Sequence, residues 1–169
     1  MSINFKILVL IVAEKGCFMN IFTVSLFGHR EIGDLRKLDA KITPIIKNLI
    51  RTKPYISFLI GRNGEFDEHV ASVVKSAQNE LGRENNEIIL VLPYKVANLE
   101  YYDKYYDNII IPEIIHGVHH KSVITLRNRW MIENSDLAVF YVEHDTGGAY
   151  KAMKYAEMLC KDVINIFEN

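Results

Sequence analysis

The stretch RNRWMIENSDLAVFYVEHDTGGA, residues 127–149, contains the pattern that decides the fold. Residues 127–134 have a helical pattern, the apolar run 137–142 comes next, and the glycine pair 147–148 follows. This order predicts a helix, a buried strand and a turn that opens another helix. The first N–H groups and the positive dipole end of that second helix suit an anion at the carboxyl end of the strand. We therefore expect a phosphate site here, with Arg127 and Arg129 supplying side-chain charge.

The same alternation of strand-like and helix-like segments extends over residues 20–167 without a low-complexity linker. The strands are apolar on both faces, which is typical of parallel strands covered by helices. The predicted class is α/β, a three-layer sandwich with a mostly parallel central sheet. The expected strands are 21–27, 55–60, 87–92, 109–111, 137–142 and 163–167, and the expected helices include 34–51, one ending at Gly82, 122–134 and 148–160.

Composition narrows the class of protein. With 169 residues and 19.5 kDa the chain has the size of one domain. Its net charge of -1 and pI of about 6.6 give no signal for polyanion binding, which disfavours nucleic acid as a partner. The two cysteines, Cys17 and Cys160, are too few for a disulfide framework. We therefore expect a cytoplasmic protein.

Residues 1–18 contain a short apolar run, 7–13, that invites comparison with a secretion signal. The run is much too short to span a bilayer, and Glu14 and Lys15 stand where a cleavage site needs small neutral residues. We expect no membrane partner and no secretion. Two alternatives stay open for residues 1–18, an extra edge strand and an extension upstream of the functional start, with a single domain over residues 19–169.

Three glycine-containing turns are predicted to meet at one edge of the sheet, because each follows the carboxyl end of a strand. None has the spacing of a Walker P-loop or of the dinucleotide fingerprint. A glycine after a strand also simply permits a tight turn, so the prediction of an anionic pocket depends on three turns and several arginines converging. The residues expected to bind the ligand are Gly28, His29, Arg30, Gly61, Arg62, Asn63, Gly64, Glu65, Asp67, Arg127, Asn128, Arg129, Gly147, Gly148 and Ala149.

Three side chains in these turns are candidates for chemistry. Glu65 and Asp67 can bind ribose hydroxyls or act in glycosidic cleavage, whereas helix N-capping is the competing explanation for both. His29 can donate to a phosphate or carry a proton, or it can hold the loop backbone. If the protein is an enzyme, Glu65, Asp67 and His29 are its expected catalytic residues. Whether it is an enzyme stays open at this point.

Two further clusters carry weaker signals. His116, His119 and His120 have no carboxylate or cysteine partners at ligand spacing, so we expect no metal site, and we expect no cofactor. The tyrosine-rich connection 94–106 could stack on a nucleobase. Covering the sheet edge or forming a subunit contact is the favoured role for most of these tyrosines.

Several short motifs, taken together, resemble those of a known superfamily. They are SLFGHR (25–30), GRNGEFD (61–67), LPY (92–94), Lys121, RNRWM (127–131), SD (135–136), GGA (147–149) and YA (155–156). This set resembles the SLOG superfamily, shared by the DNA-processing protein Smf and the LOG cytokinin-activating enzymes, and specifically its small bacterial and phage-borne YpsA/YoqJ-like branch. The resemblance implies a Rossmann-like fold and a nucleotide or nucleotide-derived ligand at the strand carboxyl ends, often in a homodimer or other homo-oligomer.

One departure limits this resemblance. LOG phosphoribohydrolases carry a PGGxGTxxE signature with a catalytic glutamate, whereas residues 145–153, DTGGAYKAM, lack both the GT pair and that acid. The expected function is therefore a module that senses or sequesters a nucleotide-derived small molecule. One alternative is a nucleotide N-glycosidase or phosphoribohydrolase-like hydrolase that uses Glu65 or Asp67. A third possibility, single-stranded DNA binding as in the Smf relatives, is disfavoured by the near-zero net charge.

Overall fold

Six parallel strands form one central sheet in the described part of the chain, in the order β4-β3-β2-β1-β5-β6. The structure is a computed structural model that describes residues 20–97, 99–115, 117 and 119–168, apart from the side chains at 120 and 121. The strands are β1 (Phe22–Gly28), β2 (Ile56–Ile60), β3 (Asn86–Val91), β4 (Asn108–Ile110), β5 (Leu137–Tyr141) and β6 (Asp162–Asn165). The helices are α1 (Leu35–Thr52), α2 (Glu65–Leu81), α3 (Leu99–Tyr102), α4 (His120–Glu133) and α5 (Gly147–Met158), with a 3₁₀ turn at Glu113–Ile115.

This architecture confirms the predicted three-layer α/β sandwich with a parallel central sheet. Most element bounds lie within two residues of the prediction. The last helix ends at Met158, earlier than predicted, because Cys160 takes a positive φ of 52° that is incompatible with a continuing helix. The predicted extra strand or extension at residues 1–18 lies outside the described residues, as does His116 of the histidine cluster.

Two apolar layers hold the sheet between its helices. On one face, α1 and α2 contribute residues such as Leu38, Ile42 and Phe66. On the other face, α4 and α5 contribute residues such as Met131 and Ala156. Because successive residues of a strand point to opposite faces, each central strand supplies side chains to both layers, which explains why the strands read as continuous apolar runs.

The order of the strands reverses between β1 and β5. From β1 the chain moves outward through β2 and β3 to β4, and it then returns through α4 to place β5 on the other side of β1. In open α/β sheets the helices on either side of such a switch point diverge and leave a crevice at the strand carboxyl ends. In the described residues, no helix is long and apolar enough to cross a membrane.

Candidate functional site

A cavity of about 300 Å³ opens at this switch point, at the carboxyl ends of β1 and β5. All three predicted turns contribute to its wall. Twelve of the residues predicted to bind a ligand line it: Gly28, His29, Arg30, Gly61, Asn63, Gly64, Asp67, Arg127, Asn128, Gly147, Gly148 and Ala149. The structure therefore brings the turns together as the parallel topology predicts.

The first and second turns pack against each other too closely for ordinary side chains. A Cβ atom on Gly64 would lie 2.6 Å from the Cα atom of Arg30. The Glu65 N–H donates to the Arg30 carbonyl at 2.8 Å, and the Arg30 Nε donates to the Asn63 carbonyl at 3.1 Å. Gly64 thus permits a backbone contact that holds the Arg30 side of the cavity in place.

Arg127 is the buried cation of the cavity. Its side chain is on α4 and is only 3% exposed, and its Nη1 donates to the Val91 carbonyl at 3.0 Å. Its Nε is buried and has no hydrogen-bond partner among the described residues. Burial lowers the pKa of Arg127 from its ordinary value, and Asp67 opposes that shift. A guanidinium remains charged in this setting, so the cavity holds a fixed positive charge with unused donor capacity.

Asp67 faces the same point of the cavity as Arg127. A Cβ atom on Gly61 would lie 2.3 Å from Nη1 of Arg127 and 2.9 Å from Oδ2 of Asp67, so only glycine leaves room for both groups. Oδ2 also accepts a hydrogen bond from the Asn63 N–H at 2.6 Å. Burial raises the pKa of Asp67, while Arg127 and the Asn63 N–H oppose the shift. The carboxyl therefore combines a structural role in the turn with a position in the cavity.

His29 connects the first turn to the third. Its Nε2 accepts hydrogen bonds from the backbone N–H groups of Glu143 and His144, at 3.1 and 3.2 Å. Since Nε2 accepts, the proton of the neutral ring is on Nδ1, which lies 3.8 Å from the position of a Cβ atom on Gly147. Burial lowers the pKa of His29, His144 lowers it further, and Glu143 opposes the shift. The neutral ring thus presents an N–H donor to the glycine turn.

Acid should weaken the connection made by His29. Because its folded-state pKa is lowered from 6.5, the stability that the neutral ring contributes is present above about pH 6.5 and is lost as the pH falls through the folded-state pKa. We expect His29→Ala to lower the free energy of unfolding by about 1 kcal/mol at about pH 8, and by less as the pH falls towards about 5. Urea unfolding across this range measures the difference.

His29→Gln is the matched control for this prediction. The glutamine oxygen accepts hydrogen bonds without titrating, so this variant should keep more of the stability than alanine and lose the pH dependence that comes from position 29. An identical pH dependence in the wild type, His29→Ala and His29→Gln would contradict the assignment. His144 and Glu143, the charged neighbours that shift the pKa of His29, are present in all three proteins, so a pH dependence that remains in both variants does not come from position 29.

The amino terminus of α5 forms the third part of the wall. Gly147 has a φ of +87°, a conformation that favours glycine, and it opens the twelve-residue helix. Thr146 is the N-cap residue, but its side chain makes no capping hydrogen bond. The first N–H groups of a helix have no intrahelical partners, so this end combines free donors with the positive end of the dipole. It suits an anion.

Three predicted ligand residues do not line the cavity. They are Glu65, Arg62 and Arg129. The Glu65 carboxylate accepts a hydrogen bond from the Ile32 N–H at 2.9 Å. The guanidinium of Arg62 lies 5.1 Å from the centre of the Tyr102 ring, and the guanidinium of Arg129 lies 4.8 Å from the centre of the Tyr155 ring. Arg129 points away because two residues turn an α-helix by roughly 200°. Ligand contacts by these residues therefore stay predictions.

Five cavity residues were not predicted from the sequence. They are Leu26, Phe27, Ile124, Met131 and Thr146. The sequence could have indicated two of them, because Ile124 and Met131 are at helical spacing from Arg127 and share its face of α4. Within the described ranges, no group of three or more histidine, cysteine, aspartate or glutamate side chains is placed to hold a metal ion.

Comparison with known proteins identifies the fold. The sequence matches no protein-family model and no curated protein. Its structure is similar to DNA processing protein A (DprA) from Streptococcus pneumoniae, with a TM-score of 0.60 and 15% identity over 85% of this chain and 49% of that chain. It is also similar to DprA from Helicobacter pylori, with a TM-score of 0.57 and 12% identity over 84% of this chain and 63% of that chain. At these identities the likeness establishes a shared Rossmann-like fold, which is the fold that the SLOG resemblance implied.

The expectation that nucleic acid is a disfavoured partner was wrong. The Helicobacter pylori protein, which shares this fold, binds single-stranded DNA. Net charge sums over a whole surface, whereas a strand of nucleic acid contacts a local groove and its stacking groups. A net charge of -1 therefore does not exclude such a partner for a protein with this fold.

Proposed function

We propose that the cavity binds the phosphate and ribose of a nucleotide or nucleotide-derived small molecule, and that the protein senses or sequesters this ligand. The observation that carries the proposal is the convergence of the buried Arg127 and the amino terminus of α5 on one cavity. Both favour an anion, and they come from two different helices, α4 and α5. We also propose that the chain is a YpsA/YoqJ-like SLOG protein, on the motifs that carry that resemblance.

The roles of the cavity residues follow from their chemistry. The phosphate would accept hydrogen bonds from the backbone around Gly147 and Gly148 and would be neutralised in part by Arg127. His29 would donate through Nδ1, and Asp67 would accept from ribose hydroxyls. A volume of about 300 Å³ is at the lower end for ligand pockets, so the base would lie at the mouth of the cavity.

A thermal-shift screen tests the proposal. The panel contains nucleoside mono-, di- and triphosphates, NAD derivatives and cyclic dinucleotides. A ligand at about 100 times its dissociation constant should add about 2.7 kcal/mol of stability, which raises the melting temperature by about 5–10 °C for a chain of this length. The matching nucleoside without phosphate should give a much smaller shift. Absence of a shift with every phosphorylated compound, on folded protein, would refute the proposal.

Hydrolysis of an N-glycosidic bond is the second candidate function. It is favoured by the position of Asp67, a carboxyl whose pKa is raised by burial within the cavity. Such a group can act as an acid or as a stabiliser of developing positive charge. The screened samples therefore also need analysis by chromatography. Release of free base that disappears in Asp67→Asn supports an enzyme, whereas recovery of the intact ligand supports binding alone.

A further inference from the structure

A cluster of four tyrosines lies beside the cavity and has no role in the site described above. This tyrosine patch consists of Tyr101, Tyr102, Tyr105 and Tyr106. The Tyr101 ring lies 5.4 Å from that of Tyr102 and 5.2 Å from that of Tyr105, measured between centroids. Tyr101 is 56% exposed and Tyr105 is 50% exposed. Core packing therefore does not account for these two rings.

The patch is anchored to the turn between β2 and α2. Arg62 stands between Gly61 and Asn63, two residues that line the cavity, and its guanidinium lies 5.1 Å from the centre of the Tyr102 ring. Tyr106 packs against the core at the other end of the patch, and burial, with Asp67 close by, raises its pKa to about 12. The contact between Arg62 and Tyr102 thus joins the patch to a turn whose neighbouring residues, Gly61 and Asn63, line the cavity.

The chemistry of the patch suits a nucleobase. Exposed aromatic rings stack on the face of any base, and a guanidinium adds a cation next to them that favours a polyanionic strand. The cavity volume of about 300 Å³ is at the lower end for ligand pockets, so a bound phosphate and ribose would fill most of it and leave the base at its mouth. None of the four rings lines the cavity, and the patch contacts the turn that carries Arg62, so a strand that continues past a phosphate in the cavity can place a further base on the patch.

We infer that the tyrosine patch stacks a base of a single-stranded oligonucleotide whose neighbouring phosphate occupies the cavity. The inference rests on the proposed phosphate site and extends it to a longer ligand. It assigns Tyr101 and Tyr105 as base-stacking residues and Arg62, which lies over the Tyr102 ring, as the cation of the patch. The likeness in fold to a protein that binds single-stranded DNA is consistent with this ligand class.

Fluorescence anisotropy with a labelled oligothymidylate of about ten nucleotides, and thermal shift with thymidine monophosphate, test the inference on the full chain. Replacing both Tyr101 and Tyr105 by alanine should weaken oligonucleotide binding by about 5- to 150-fold and leave mononucleotide binding unchanged. Replacing both by phenylalanine should retain the affinity, because the ring faces remain. Tyr155→Ala is the matched control, since Tyr155 also lies under an arginine but stands away from the cavity.

The outcomes separate the inference from the proposed function. Mononucleotide binding with no gain for the oligonucleotide overturns the inference and leaves the proposed function intact. Equal affinity of the wild type and the double alanine variant for the oligonucleotide also overturns it. If the double variant changes sedimentation from oligomer to monomer and does not change oligonucleotide affinity, the patch is a protein interface. Failure of the wild type to bind either probe, or any other phosphorylated compound, overturns both.

Discussion

Replacing Arg127 by methionine should weaken binding of the best mononucleotide from the thermal-shift screen by about 10- to 150-fold. This range corresponds to the loss of one charge-assisted hydrogen-bonding group, about 1.5–3 kcal/mol. Arg127 is the cavity cation that is almost fully withdrawn from water, so its interaction with a phosphate is screened less than that of a surface arginine. Isothermal titration calorimetry measures the change.

Arg129→Met is the matched control for this prediction. The two arginines stand on the same helix, but Arg129 is exposed, does not line the cavity, and lies 4.8 Å from the centre of the Tyr155 ring. We expect its replacement to change the dissociation constant by less than about twofold, as for a distant surface charge. Comparable losses in both variants would show that the effect is long-range and would contradict a phosphate site centred on Arg127.

A folding control is needed because Arg127 is buried. Methionine is similar in length and apolar, so it fills much of the space and removes the unpaired Nε. It also removes the hydrogen bond to the Val91 carbonyl and leaves Asp67 without the nearby cation that opposes its raised pKa. Arg127→Lys keeps the charge but not the planar fork, and it should bind with intermediate affinity. Circular dichroism and urea unfolding identify any loss of affinity that comes from unfolding.

The strands and the meeting of the turns could be predicted because both depend on local pattern and topology. Apolar runs end at Gly28, at Gly61 and shortly before Gly147, and such runs indicate parallel strands. Parallel strands place their carboxyl ends at one edge of the sheet. Helical spacing could also have separated Arg127 from Arg129, since Ile124, Arg127 and Met131 repeat along one face of α4. The prediction that both arginines contact the ligand did not take that periodicity into account.

Other features depend on contacts that no local pattern contains. Glu65 and Asp67 stand two residues apart in one helical turn, and both look equally suited to a ligand in the sequence. Glu65 is engaged by the N–H of Ile32, a residue 33 positions away, whereas Asp67 turns toward Gly61 and Arg127. The hydrogen bonds from the N–H groups of Glu143 and His144 to His29 are also long-range. Local sequence patterns do not predict such contacts, because they join residues that are far apart in the chain.

Gly28→Ala should lower the free energy of unfolding by about 1–3 kcal/mol, the usual cost of overpacking a core. A Cβ atom at this position would lie 2.2 Å from ring atoms of Phe66, a distance at which one of the two groups must move. The Phe66 ring is 1% exposed and belongs to the core layer between the sheet and α2, so no open space accepts it. The melting temperature should fall by about 2–4 °C per kcal/mol.

Gly33→Ala is the matched control, because a Cβ atom on Gly33 meets no atom within 4 Å. Its effect should stay within about 0.5 kcal/mol, as for ordinary surface positions. Neither glycine has a positive φ, so contact with Phe66, rather than backbone strain, distinguishes the two variants. Combining Gly28→Ala with Phe66→Leu should therefore cost less than the two single changes together, because the smaller side chain leaves room for the new methyl group. Strict additivity in urea unfolding would show that the clash does not determine the effect at Gly28.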